Sequence, residues 1–134
     1  LDTKKIKIAY LIPAMLKKKF EKQSIQFNRL IGGINISNIQ RGVIQTANLG
    51  YWLGKEHTGH GYMEESINTI IPYIFSQLKI NRIQAFTLKE NIASKRLLEK
   101  VNFKEEGVLR KAMKINNEWS DHILYSLLKS DNID

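Results

Sequence analysis

The chain contains no cysteine. That absence excludes disulfides, thiol catalysis and thiolate metal sites. No apolar run approaches the ~20 residues that a membrane span requires. The start, Leu1-Asp2-Thr3-Lys4-Lys5, lacks the basic-then-apolar-then-small order of a signal peptide. No zinc finger, RNA-recognition aromatic motif or basic zipper occurs, so sequence-specific nucleic-acid binding is not expected. Internal repeats, low-complexity tracts and interdomain linkers are also missing. The expectation is a soluble cytoplasmic protein with no membrane partner and no metal.

What is present is a basic, moderately hydrophobic chain. Its 134 residues are 43% hydrophobic and 25% charged, a balance that suits one domain over residues 1–134 and excludes a disordered chain. Basic residues number 21 against 13 acidic, for a net charge of +8. A basic surface favours polyanions: nucleic acid, a ribosome or a phosphorylated cofactor. The lysines are also spread along the chain, as solubilising residues would be. The densest cluster is Lys17-Lys18-Lys19.

Periodicity then orders the chain. Leu11, Ile12, Met15, Leu16 and Phe20 have helical spacing, with Pro13 in the first turn. Ser24–Phe27 alternates briefly, as a strand stub would. Leu30–Ile36 and Ala47–Leu53 read as strands joined by a polar turn around Asn38–Gly42. A long helix is expected from Gly61 to Leu78, its apolar stripe being Met63, Ile67, Ile70, Ile71, Ile74 and Leu78. Pro72 inside it removes one helical hydrogen bond. Arg82–Leu88 reads as a strand, and Asn91–Val101 as a helix with Asn91 as N-cap and Asn102 as left-handed C-terminal cap. Phe103–Ile115 and Trp119–Leu128 complete a hairpin around Asn116-Asn117. Strand–helix–strand units imply parallel pairing, the final hairpin antiparallel pairing, and together a mixed α/β sheet covered by helices.

Chemistry concentrates in a few places. The segment Leu49 to Met63 reads as an apolar strand, a polar turn with spaced glycines, and a helix start. Glycines let a backbone approach an anion closely, and amides of a first helical turn then face it. It is no Rossmann fingerprint, because the third glycine and the ribose-binding acid are not in place. Nor is it a P-loop, since no Lys-Ser/Thr follows Gly61. Taken alone, the segment also fits an ordinary tight turn. Asn91-Ile92-Ala93-Ser94 opens a helix directly after a strand, which fits capping or a Ser94 hydroxyl facing a ligand. Phe103 and Trp119 on the hairpin read as core anchors, and His122 as a strand histidine.

In this order the elements resemble the GNAT acyl-CoA N-acyltransferases, and more closely the RimJ/RimL branch that acetylates N-terminal amines of ribosomal proteins. The likeness runs through Asn38-Ile39-Gln40-Arg41-Gly42, Ala47 to Tyr51, Gly59-His60-Gly61-Tyr62-Met63, Asn91-x-x-Ser94, Gly107-x-Leu109-Arg110 and Trp119-x-Asp121-His122. It covers roughly residues 29–129. The resemblance implies a GNAT fold: a mixed, mostly antiparallel sheet with splayed central strands, flanked by helices. It implies that His57, Thr58, Gly59, His60, Gly61, Tyr62 and Met63 hold the pyrophosphate of acetyl-CoA, the cosubstrate. Leu53 would line the splayed gap, and Asn91 and Ser94 would face the thiol end. Ser94 would protonate the departing sulfur, and a backbone N–H near Leu53 would stabilise the oxyanion.

The sequence departs from the family in several places. Glu56 stands where an Arg or Gln is usual, so the grip on phosphate is expected from backbone amides, with His57 or His60 assisting, and not from an arginine. Asn102 replaces a glycine. Met113 occupies the place of a glutamate found in some relatives, which leaves the base open among Glu56, His57, His60 and a water chain. The family's first strand and much of its first helix would precede Leu1, and part of the second strand is missing between Phe27 and Asn28. An N-terminally truncated member is therefore expected. The expected partners are acetyl-CoA and a ribosomal-protein N-terminus, on or off the ribosome, for a monomer or dimer. A small-molecule amine acceptor, or an inactive acyl-CoA-binding or ribosome-associated module, stays open.

Overall fold

The computed structural model of the chain describes residues 6–8 and 31–132. The helix expected from Leu11 to Phe20, the Ser24–Phe27 strand, Lys17-Lys18-Lys19 and the break between Phe27 and Asn28 lie outside the described residues. Six strands form one sheet: β1 (Ile6–Ile8), β2 (Gly32–Gln40), β3 (Thr46–Leu53), β4 (Arg82–Leu88), β5 (Lys104–Ile115) and β6 (Glu118–Leu128). Two α-helices are described, α1 (Tyr62–Ser76) and α2 (Ile92–Lys100). Neither is long and apolar enough to cross a membrane.

The strand order is β1-β2-β3-β4-β6-β5. Every pairing is antiparallel except β3 with β4, which the α1 crossover makes parallel. The mixed, mostly antiparallel GNAT sheet expected above is therefore present. The second strand–helix–strand unit behaves differently from the local expectation. β6 folds back between β4 and β5, so β4 and β5 are not hydrogen-bonded neighbours in the sheet, although Arg82 of β4 reaches across to pair with Glu106 of β5. The turn that permits this is Asn116-Asn117, with φ of 51° and 65°. Consecutive left-handed residues match the right-handed twist of the flanking strands.

The core lies between the sheet and the helices. Along β4, Ile83 and Ala85 are buried, and their partners Leu127 and Tyr125 on β6 are buried with them. α1 adds Met63, Ile67, Ile70, Ile71, Ile74 and Phe75, all buried. Each such side chain contributes about 1.5–3 kcal/mol on leaving water. Pro72 sits on the exposed side of α1, and the carbonyl of exposed Asn68, which it deprives of a donor, is on the water side too. The Arg41 guanidinium donates to the Leu78 carbonyl, tying the β2–β3 turn to the end of α1.

Two local readings need correction. β2 runs on to Gln40, because a bulge between Ser37 and Gln40, with Asn38 at φ 49°, carries the strand through polar residues. Trp119 is no core anchor: it is 61% exposed, on a hairpin whose outer strand β5 is exposed throughout. Phe103 is buried as expected.

Candidate active site

The site begins where the sheet opens. β3 and β4 pair only from Thr46–Arg82 to Asn48–Gln84. From Leu49 to Leu53, β3 runs on without β4 beside it, which is the splay. The register of β2 with β3 decides which backbone groups face the opening. The Gly54 amide donates to the Ile31 carbonyl at 2.7 Å, so residues 31 and 54 form a hydrogen-bonded pair. Antiparallel pairs alternate. Gly32–Leu53, Ile34–Tyr51 and Ile36–Leu49 are therefore the non-bonded pairs. The N–H and C=O groups of Tyr51 and Leu53 consequently face away from β2, into the gap.

At the end of β3 the chain turns through a short 3-10 segment, Lys55–His57. The Thr58 hydroxyl donates to the Lys55 carbonyl at 2.9 Å and closes it. Gly59 and Gly61 follow with φ of 80° and 78°. A Cβ at either would meet no protein atom within 4 Å, so the backbone there is open to a ligand. Gly61 caps α1 without a side-chain hydrogen bond. The first helical bond is Glu65 N–H to Gly61 C=O at 3.1 Å. The amides of Tyr62, Met63 and Glu64 thus have no intrahelical acceptor, at the positive end of the helix dipole.

α2 closes the other side. The Asn91 side chain accepts from the Ser94 amide at 3.1 Å, fixing the first turn. That places the Ser94 hydroxyl 2.5 Å from the Tyr51 hydroxyl on β3. Burial pushes the Tyr51 phenol above its ordinary range, and the Ser94 hydrogen bond partly opposes this. Tyr51 is therefore neutral at physiological pH, and either hydroxyl of the pair can donate.

Two cavities share Tyr51, Asn91 and Ser94. The larger, about 500 Å³, extends to Leu53, Thr58, Gly59, Gly61 and the start of α1. The smaller, about 300 Å³, extends to Thr87, Leu88, Met113 and His122. His122 is buried, and its Nδ1 lies 3.1 Å from the Ser120 carbonyl.

The structure thus brings Leu53, Thr58, Gly59, Gly61, Tyr62, Met63, Asn91 and Ser94 to one cavity. Glu56, His57 and His60 are not part of its lining. Glu56 sits on the exposed turn, its carboxylate 3.6 Å from His57. His57 packs back toward Gly54, and His60 stacks on Tyr62 with ring centroids 5.3 Å apart. The cations lining the cavity are Arg96 and Lys100 of α2. Ala93, Arg96, Leu97 and Lys100 follow one helical stripe, a signal that the sequence reading missed. It also missed Tyr51 and Thr87, and His122 faces a cavity where an ordinary strand position was expected.

The chain matches the family model described as acetyltransferase (GNAT) domain over residues 10–104. It is 43% identical over 104 residues to Probable N-acetyltransferase YjcK of Bacillus subtilis (strain 168), covering 78% of this chain and 58% of that protein. It is 34% identical over 102 residues to the [ribosomal protein uS5]-alanine N-acetyltransferase of Escherichia coli (strain K12), covering 76% and 53%. The chain therefore spans a little over half the length of these relatives. Among solved structures, Mycobacterium smegmatis RimJ in complex with CoA-disulfide superimposes with a TM-score of 0.76 at 27% identity, over 79% of this chain and 51% of that one. The ribosomal-protein-S5-alanine acetyltransferase of Vibrio fischeri gives 0.75 at 29% identity, over 90% and 70%.

Proposed function

The chain belongs to the GNAT acetyltransferase family, and from that premise we propose that it transfers an acetyl group from acetyl-CoA to the N-terminal amine of a ribosomal protein. The observation that carries this reading is the larger cavity. It joins an anion-suited turn and helix N-terminus at one end to the Tyr51–Ser94 hydroxyl pair at the other. The backbone edge of Tyr51 and Leu53 between them suits an extended ligand carrying amide groups. The acceptor class follows the Escherichia coli and Vibrio fischeri relatives, whose names specify a ribosomal-protein alanine. A net charge of +8 agrees both with a phosphorylated cosubstrate and with a ribosomal setting.

The residues divide the work. Amides of residues 59–63 hold the pyrophosphate, and Arg96 and Lys100 add positive charge beside it. The Leu53 amide donates to the oxyanion formed when the amine attacks the thioester carbonyl. Ser94, bonded to the neutral Tyr51 hydroxyl, gives the departing sulfur its proton. Glu56 is not retained as base, because it lines neither cavity.

The test is thiol release from acetyl-CoA with peptides that begin with alanine or serine in ribosomal-protein contexts, and with polyamines as controls. Release with the peptides alone supports the proposal. Binding of acetyl-CoA without turnover on any amine points to a regulatory module. No binding at all refutes the acetyltransferase reading.

A further inference from the structure

We propose that His122 is the general base of the transfer, taking the acceptor's ammonium proton on the sheet face opposite Ser94. The proposal rests on the acetyltransferase reading above and assigns the group that reading leaves open.

The argument starts from strand alternation. On β6, Ile123, Tyr125 and Leu127 are buried in the helix-covered core. Successive strand side chains point to opposite faces, so His122 points to the other one. On β4, Ile83 and Ala85 share the core face, and Phe86 and Leu88 share the face of His122. Ser94 belongs to α2, and Tyr51 reaches it by a hydrogen bond. The smaller cavity is lined from both faces: by Tyr51, Thr87 and Ser94 on one, and by Gly50, Phe86, Leu88 and His122 on the other. It is a slot through the splay. A proton donor stands on one side of it and an imidazole on the other.

The imidazole is held for this task. A carbonyl only accepts, so the 3.1 Å contact with the Ser120 oxygen makes Nδ1 the donor. In the neutral imidazole this leaves the lone pair on Nε2, which among the described residues has no hydrogen-bond partner. The competing groups are weak. Only Tyr51 and His122 are titratable in this lining, and burial keeps Tyr51 protonated. Met113 takes no proton. The charged groups nearby are Arg110, Lys111 and Asp121 along the hairpin, where the Lys111 amide holds the Asp121 carboxylate at 2.7 Å. β4 and α2 add no charged side chain to the slot.

The step balances. His122 Nε2 takes one ammonium proton, and the freed nitrogen pair forms the bond to the thioester carbonyl carbon. The carbon–sulfur bond breaks with its electrons on sulfur, which takes a proton from Ser94. The amine's second proton replaces the one Ser94 gave. The net products are an amide, a free thiol and one proton released through His122.

His122→Gln and His122→Asn are compared with the parent 134-residue chain. Acetyl-CoA affinity is read by calorimetry, and kcat/KM against pH with two acceptors. One is an alanine peptide. The other is trifluoroethylamine, which is already neutral at the assay pH. Both variants should keep acetyl-CoA affinity within about twofold. With the peptide, kcat/KM should fall about 10²–10⁴-fold near neutral pH. That loss should shrink as the pH rises and the amine deprotonates, and with trifluoroethylamine it should stay under about tenfold. Equal losses for both acceptors at every pH would make His122 structural and overturn the proposal, as would an unchanged peptide rate in either variant. A parent chain that binds no acetyl-CoA, or releases no thiol, sinks the acetyltransferase reading itself and this proposal with it.

Discussion

Replacing Gly61 with alanine separates the fold requirement of the glycine turn from its ligand requirement. Gly61 is at φ 78° and ψ 8°, inside the left-handed region. An L-residue there costs about 1–2 kcal/mol. The added methyl meets no protein atom within 4 Å, so no clash adds to that cost. Unfolding entropy is about 2.1 cal/mol/K per residue, or about 0.28 kcal/mol/K for 134 residues. The melting temperature should therefore drop by about 4–7 °C. Acetyl-CoA affinity should fall as well. The methyl fills the open space beside the amides of residues 61–64, where an anion would sit, and a loss of about tenfold or more, over 1.4 kcal/mol, is expected. Thermal unfolding by circular dichroism and calorimetric titration read the two effects. An unchanged affinity with the expected drop in melting temperature would refute the phosphate cradle. An unchanged melting temperature would refute the backbone argument.

Three further substitutions test other links. Ser94→Ala should lower kcat about 10²-fold while the acetyl-CoA dissociation constant moves less than about twofold; unchanged turnover by thiol release removes Ser94 from the mechanism. Tyr51→Phe should alter the alkaline limb of stability. The buried phenol ionises above its unfolded value, so its contribution is intact below about pH 10 and is lost as pH climbs, because the unfolded chain ionises first. Urea unfolding from about pH 9 to about pH 11 should show a shallower decline in the variant, with Tyr125, also raised by burial, keeping part of the slope. Phe103→Ala should cost about 3–5 kcal/mol by urea unfolding, whereas Trp119→Ser, at a 61% exposed position, should stay within about 0.5 kcal/mol.

Features set by neighbouring residues were legible in the sequence. Arg82–Leu88 reads as a β-rich run, and the strand has those ends. Asn91 caps its helix, and Asn102 takes φ 70° beyond it, as their short polar side chains suggest. What depends on distant residues was not legible. Nothing local announces that β6 inserts beside β4, and that insertion is what carries His122 to the slot. Tyr51 and Ser94 are 43 residues apart, and only the splay brings their hydroxyls together. Trp119 misled because a large aromatic in an alternating segment reads as core, while here it lies on an outward-facing hairpin. Glu56 misled in another way. A carboxylate beside a glycine turn suggests chemistry, but the 3-10 segment turns it outward to His57.

The splay itself explains why structure and chemistry coincide in this fold. A sheet normally satisfies each strand's backbone groups through its neighbours. β3 gives up that pairing after the Asn48–Gln84 register, which leaves the inward groups of Tyr51 and Leu53 directed at a gap. An unpaired peptide group in a partly buried site is costly, and each hydrogen bond regained is worth about 1 kcal/mol. The gap therefore favours an extended ligand that brings its own amides and completes the ladder. The same divergence opens the sheet from face to face. A ligand threaded along β3 would have Ser94 on one side and His122 on the other, so the break in hydrogen bonding that creates the binding edge also separates the acid from the base.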